Sequence, residues 1–211
     1  MTPYTALLNE VLPEVLGCPN ITAERAIRDS AIEFFDATLG YKVDQGPISV
    51  TLGVETINLS VPADTRLVQV LRAQMGRRPL SRITREQLMT SGTSWQTDTG
   101  TPTAVVYGTE TSIRLLPIPD QTPTEQLFLQ FAVTPSRTST QIPTPLVERY
   151  FREICTGAKS SLMLMMQKDW SNEKMGVAYR NMYERMISEA CLTESQDRIA
   201  AQARVRLRRV A

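Results

Sequence analysis

The chain of 211 residues contains no histidine. Without imidazole there is no Ser-His-Asp triad, no Cys-His dyad, no HExxH zinc site and no side chain that ordinarily titrates near neutral pH. Only three cysteines are present (Cys18, Cys155, Cys191), an odd number with no CxxC spacing. That excludes a disulfide framework and points to a reducing compartment, where the sequons at Asn20 and Asn58 are chance matches. Cys155 and Cys191 lie among helical apolar residues and read as small buried hydrophobes. No apolar run reaches the ~18 residues of a membrane span, and Met1-Thr-Pro-Tyr4 opens no basic or apolar leader, so neither membrane insertion nor secretion is expected. Phosphate loops of the GxxxxGK[ST] or GxGxxG type are missing. Ser171-Asn-Glu-Lys174 matches SxxK but lacks the companion motifs of serine acylases, and a helix N-cap explains Ser171 better. The acidic pairs Glu10/Glu14 and Glu184/Glu189 read as solvated helix faces, and no acidic cluster suits Ca²⁺ or Mg²⁺. The expectation is a protein without catalytic set, cofactor or metal, and therefore not an enzyme.

What is present is an ordinary globular composition, 42% hydrophobic and 21% charged, in a chain long enough to bury about 70% of its unfolded surface. The net charge of +1 conceals opposite ends: residues 1–44 sum to −4 and residues 145–211 to +4. Such ends attract either within one fold or between neighbouring copies. In the second case Arg149 and Arg152 are the inter-subunit candidates. Arginine outnumbers lysine 19 to 4, which suits bidentate interface pairing or reflects genome composition.

Hydrophobic period divides the chain. Leu7, Leu8, Val11, Leu12, Val15 and Leu16 form a one-sided stripe that Pro13 interrupts. After the Gly17–Asn20 turn, Thr22 is the expected N-cap of a helix whose face carries Ala26, Ile27, Ala31, Phe34, Phe35 and Thr38, with Gly40 near C′. From Gln45 the period falls to 2, through Ile48–Leu52, Ile57–Val61, Leu67–Met75, Val105–Tyr107, Ile113–Leu116 and Leu127–Val133. Pro and Gly punctuate the runs as in antiparallel sheet, and a short helix is expected at Ile83–Thr90. In the last run Leu127, Leu129, Phe131 and Val133 face one way. Ser91–Thr103 reads as a mobile loop whose one large apolar residue is Trp95.

Helical period returns after Pro145 with Leu146, Tyr150, Ile154, Ala158, Leu162 and Met165 or Met166. Beyond a turn at Trp170–Asn172, capped by Ser171, a second stripe holds Met175, Ala178/Tyr179, Met182, Met186 and Ala190. These methionines read either as gap-filling core or as an adaptable surface for a partner. The fold class expected is α+β: residues 1–44 and 145–194 as an antiparallel helical bundle, residues 45–144 as an inserted antiparallel β domain (sandwich or small barrel) of about six strands. Residues 195–211 form an arginine-rich arm with Arg198, Arg204, Arg206, Arg208 and Arg209, read as a solvated tail, a protein-docking arm or a nucleic-acid contact.

Ala26-Ile-Arg-Asp-Ser-Ala-Ile-Glu-Phe-Phe-Asp-Ala-Thr-Leu-Gly-Tyr41 resembles a helix of tailed-bacteriophage head-to-tail adaptor proteins. Ile113–Pro119, with its P-x-P ending, and Leu127–Pro135 are similar to successive strands of that family. Ile142–Tyr150, Gly157-Ala158 and Lys168-Asp-Trp-Ser-Asn172 are similar to its helical hairpin and turn; Tyr41 stands where the family has Trp. The resemblance implies a structural virion protein assembled in the host bacterial cytoplasm and placed at the head-tail interface. There about twelve copies, a dodecamer, form a ring between portal protein and a downstream tail nozzle or tail tube protein. Packaged DNA passes through the channel without sequence-specific contact, and no membrane is involved. The arm would dock on the portal, and the loop with Trp95 would face the tail. The alternative is a nucleic-acid-binding protein using the arginine tail, against which stand the near-zero net charge and the lack of interleaved aromatics.

Overall fold

The computed structural model describes residues 1–90, 96–109, 111–121 and 125–198. Strand β1 (Thr2–Pro3) leads into a 3-10 turn at Tyr4–Leu7, the short helix α1 (Leu8–Val11) and a second 3-10 turn at Leu12–Glu14. Pro13 sits at the start of that second turn; it lacks an N–H and cannot continue the helix, so the apolar stripe is delivered in pieces. Leu7, Leu8, Val11 and Val15 are buried, while Leu16 is exposed.

Helix α2 (Asn20–Thr38) buries the face from Ala23 through Ala26, Ile27, Ala31, Phe34 and Phe35 to Thr38. Both of its expected end signals are displaced. The N-cap is Pro19 and no side chain caps the first turn, so Thr22 lies inside the helix. The left-handed residue at the C-terminus is Leu39, at φ 56°, rather than Gly40. Gly40 serves close packing instead, since a Cβ there would stand 3.2 Å from the Tyr150 hydroxyl.

Between the helices run β2 (Lys42–Ile48), β3 (Thr56–Asn58), β4 (Thr65–Met75), β5 (Arg78–Pro79), β6 (Ser81–Ile83), α3 (Arg85–Thr90), β7 (Thr99–Gly100), β8 (Ala104–Thr109), β9 (Ser112–Leu116), β10 (Ile118–Pro119), β11 (Leu127–Pro135) and β12 (Gln141–Ile142). They form two four-stranded sheets, ordered β2-β11-β4-β5 and β3-β9-β8-β6, and two small ribbons, β1-β12 and β7-β10. Most pairs are antiparallel, but β6-β8 and β7-β10 are parallel. That departs from the all-antiparallel expectation, because period-2 alternation carries no information on strand direction. Helix α3 starts at Thr84–Gln87, where the Thr84 hydroxyl accepts from the Gln87 amide and the Gln87 side chain accepts from Thr84 N–H. This Thr-x-x-Gln capping box is a local signal legible in the sequence.

In β11 the alternation of Leu127, Leu129 and Phe131 holds, but from Phe131 to Pro135 every residue is buried. The cause is α2, whose Ile32 carbonyl accepts from the Thr134 hydroxyl, so the strand end is covered on both faces. The chain ends in α4 (Thr144–Met163) and α5 (Glu173–Arg198). Helices α2, α4 and α5 contact one another pairwise, and α2 also packs on β11. One continuous buried cluster runs from Phe34, Tyr150, Ile154 and Tyr183 on the helices to Phe131, Leu115 and Ile113 in the sheets.

Helix α4 is the hub of these contacts. From Ile154 to Ser160 every residue is buried, and the run Cys155-Thr-Gly-Ala158 is small enough to let neighbours approach. At its closest point Gly157 faces Ser30 and Tyr183. There the Tyr183 hydroxyl donates to the Ser30 carbonyl (2.8 Å), and the Ser30 hydroxyl donates to the Ile154 carbonyl (2.8 Å).

Candidate functional site: polar ties and exposed faces

Part of the charge asymmetry of the sequence is engaged within the protomer, where Lys159 and Arg180 pair with Glu10, Glu14 and Glu33 of the N-terminal part. Lys159 of α4, almost fully buried, donates to Glu10 (3.0 Å) and Glu14 (2.8 Å) of the N-terminal segment. Glu14 also accepts from the Tyr179 hydroxyl of α5. The acids expected on a solvated face are therefore anchors for a buried ammonium. Burial alone would lower the Lys159 pKa, but the two carboxylates outweigh it and hold it raised. The bond to Lys159, then that to Tyr179, holds Glu14 below the ordinary carboxylate range. A signal was available: Lys159 stands one turn beyond Cys155 on an apolar face, where an unpaired charge is prohibitive.

A second tie centres on Glu194, whose carboxylate is fully buried near the end of α5. It accepts from the Tyr150 hydroxyl (2.6 Å) and pairs with Arg149 (2.9 Å) on α4 and Lys42 (2.5 Å) on β2. Desolvation would raise its pKa, yet the Lys42 and Tyr150 bonds and the Arg149 charge hold it lowered. The Tyr150 phenol is pushed up, first by burial and then by the carboxylate it bonds. Arg180 of α5 makes a two-pronged pair with Glu33 of α2 (2.7 and 3.2 Å) and reaches Glu184 (2.9 Å) on its own helix. Glu194 and Arg180 escape sequence reading, because their partners lie more than 40 and 140 residues away.

Of the inter-subunit candidates, Arg149 is thus paired inside its own chain, whereas Arg152 is exposed and has no hydrogen bond or ion pair among the described residues. Helix α5 continues through Ser195 to Arg198, past the expected start of the arm. Trp95, Arg204, Arg206, Arg208 and Arg209 lie outside the described residues, as does the side chain of Arg198.

Helix α5 turns a different face inward from the one its methionines suggest. Gly176, Tyr183 and Glu194 are buried, while Met175, Val177 and Met182 are exposed. Two large polar residues, Tyr183 and Glu194, occupy the inner face because each finds buried partners, and Met175 and Met182 are turned outward. The helix begins one residue later than expected: the Asn172 side chain accepts from the Met175 amide (3.2 Å), and Ser171 instead reaches back to the Met163 carbonyl. Leu164 and Met166 in the turn before α5 are exposed as well, while Met163 is buried. The gap-filling core reading therefore holds for Met163 but not for Met166, Met175 and Met182, which lie at the surface.

These features are mechanical. They tie helices from the two ends of the chain together and leave apolar side chains on α5 and its preceding turn. A family model described as "SU10 adaptor protein" matches residues 2–208. No curated protein matches the chain.

Proposed function

Because the chain belongs to the SU10 adaptor protein family, a family of phage structural adaptors, we propose that it acts as a head-to-tail adaptor: a ring of about twelve copies seated between the portal and the next tail component, continuing the DNA channel. The match over residues 2–208 carries this reading. In it, residues 1–44 and 145–194 are the helical body, residues 45–144 the inserted β part, and residues 195–211 the arm that docks on the portal. The protein's role is structural rather than catalytic. Exposed Met166, Met175 and Met182 support the reading, since unbranched thioether side chains repack readily against a partner.

The test is electron microscopy of the purified full-length protein, alone and mixed with its portal. Class averages with a ring coaxial with the portal are expected. Persistence of separate monomers and bare portals overturns the reading. Steeply salt-dependent retention on DNA without portal binding would instead select the nucleic-acid alternative.

A further inference from the structure

The outer side of α5 carries a seam of its own. Met175, Ala178, Met182, Arg185, Glu189 and Leu192 recur at alternating steps of three and four, the spacing of side chains that line one helix–helix contact. All six are exposed. Ala178, Arg185 and Leu192 each stand two residues, just over half a turn, from the inward Gly176, Tyr183 and Glu194, so the seam faces away from the protein body. Two opposite charges occupy its middle. Among the described residues neither the Arg185 guanidinium nor the Glu189 carboxylate has a hydrogen bond or ion pair: Glu184 is taken by Arg180, and the Thr193 hydroxyl bonds the Glu189 backbone carbonyl, not its carboxylate. The flanking exposed Asn181, Ser188 and Thr193 carry no charge.

We propose that this seam docks on the same seam of a second copy, the two α5 helices running antiparallel about a two-fold axis level with Ile187. In that register Arg185 of each copy faces Glu189 of the other, and Met182 faces Leu192, so every contact is made twice. The order of residues along the seam selects this occupant. Read backwards, Met182–Arg185–Glu189–Leu192 becomes apolar, acidic, basic, apolar, which is its own complement in charge. A parallel pair would instead set Arg185 against Arg185 and Glu189 against Glu189. A nucleic-acid backbone would bring phosphates against Glu189 and offer Met182 and Leu192 no apolar surface. A single helix pair buries less than about 1,200 Å², so the dimer is weak and depends on concentration. A two-fold pair is closed and cannot propagate round a ring. The proposal therefore describes the protein outside any ring and does not depend on ring formation.

Sedimentation velocity of the full-length protein, over about two decades of concentration reaching roughly 1 mM, reads the dimer. A concentration-dependent dimer is expected for wild type. Arg185→Glu and Glu189→Arg should each weaken it about tenfold or more, because each turns both attractive contacts into like-charge ones. The double variant Arg185→Glu/Glu189→Arg should recover it. So should an equimolar mixture of the two single variants, in which both contacts are attractive again. Both side chains are exposed, so unchanged melting temperatures certify the folds. Wild type found only as monomer or only as larger rings, or dimerisation indifferent to the single reversals, overturns the proposal. Single-variant losses that neither the double variant nor the mixture recovers also overturn it, since Arg185 and Glu189 would then meet some other surface.

Discussion

Replacing Gly157 by Ala probes the point where α2, α4 and α5 meet. The added Cβ would lie 2.2 Å from the Ser30 hydroxyl oxygen and 2.7–2.8 Å from the Tyr183 ring. Neither neighbour is a free end. Tyr183 is fully buried and tethered through its hydroxyl, and Ser30 is tethered to the Ile154 carbonyl. Overpacking costs about 1–3 kcal/mol, and turning Ser30 away sacrifices a buried hydrogen bond worth about 1 kcal/mol. Alanine returns about 1 kcal/mol of helix propensity. The net loss is about 1–3 kcal/mol, or about 2–12 °C in melting temperature for a chain of this size. Urea titration with far-ultraviolet circular dichroism measures it. Adding Ser30→Ala removes the 2.2 Å contact, so the double variant should lose less than the sum of the singles. Gly176→Ala is the control: its nearest neighbour, the Leu164 side chain at 2.8 Å, is 38% exposed and free to swing outward. Gly157→Ala within about 0.5 kcal/mol of wild type, or additivity with Ser30→Ala, would refute the close-packed crossing.

Glu194→Gln should cost about 2 kcal/mol, below the 3–5 typical of a fully buried pair because Lys42 and Arg149 reach solvent. Since the folded Glu194 pKa is depressed, its stabilisation is present above the ordinary glutamate value of about 4.3 and lost as pH falls through the folded value. Melting curves of the variant should thus lie below wild type at neutral pH and converge with it in acid; a constant gap would contradict the tie. Lys159→Met should weaken the hold on the N-terminal segment and cost about 1–2 kcal/mol, because Glu10 and Glu14 return readily to water. With the folded lysine pKa raised, that stabilisation is complete below about pH 10.4 and vanishes as pH rises through the folded value, which alkaline melting of the two proteins checks. In thiol titration with Ellman's reagent, half-buried Cys191 should react first. Cys155, pushed to about 12 by burial, and Cys18, also raised by burial, should react only at the rate of unfolding; fast labelling of all three refutes the packing.

The sequence alone determined the change of period from 3.6 to 2 and back, and with it α2, the first half of β11 and α4. Each of these buries its apolar stripe against whatever lies opposite, so neighbours within one or two turns are enough to announce it. It also determined that Pro13 breaks the first helix, because that effect is confined to one residue and the turn before it. The resemblance carried by Ala26–Tyr41, Ile113–Pro119 and Lys168–Asn172 likewise rests on local packing and turn residues, and it agrees with the family whose model matches residues 2–208. Tertiary structure alone decided what depends on distant partners. Glu194 can be buried only because Tyr150, Arg149 and Lys42 converge on it. Lys159 turns Glu10 and Glu14 from surface charges into anchors across more than 140 residues of chain. The inner face of α5 follows Tyr183 and Glu194 rather than its methionines, because a polar group with buried partners can displace an apolar one from the core, and no local pattern records where those partners will be.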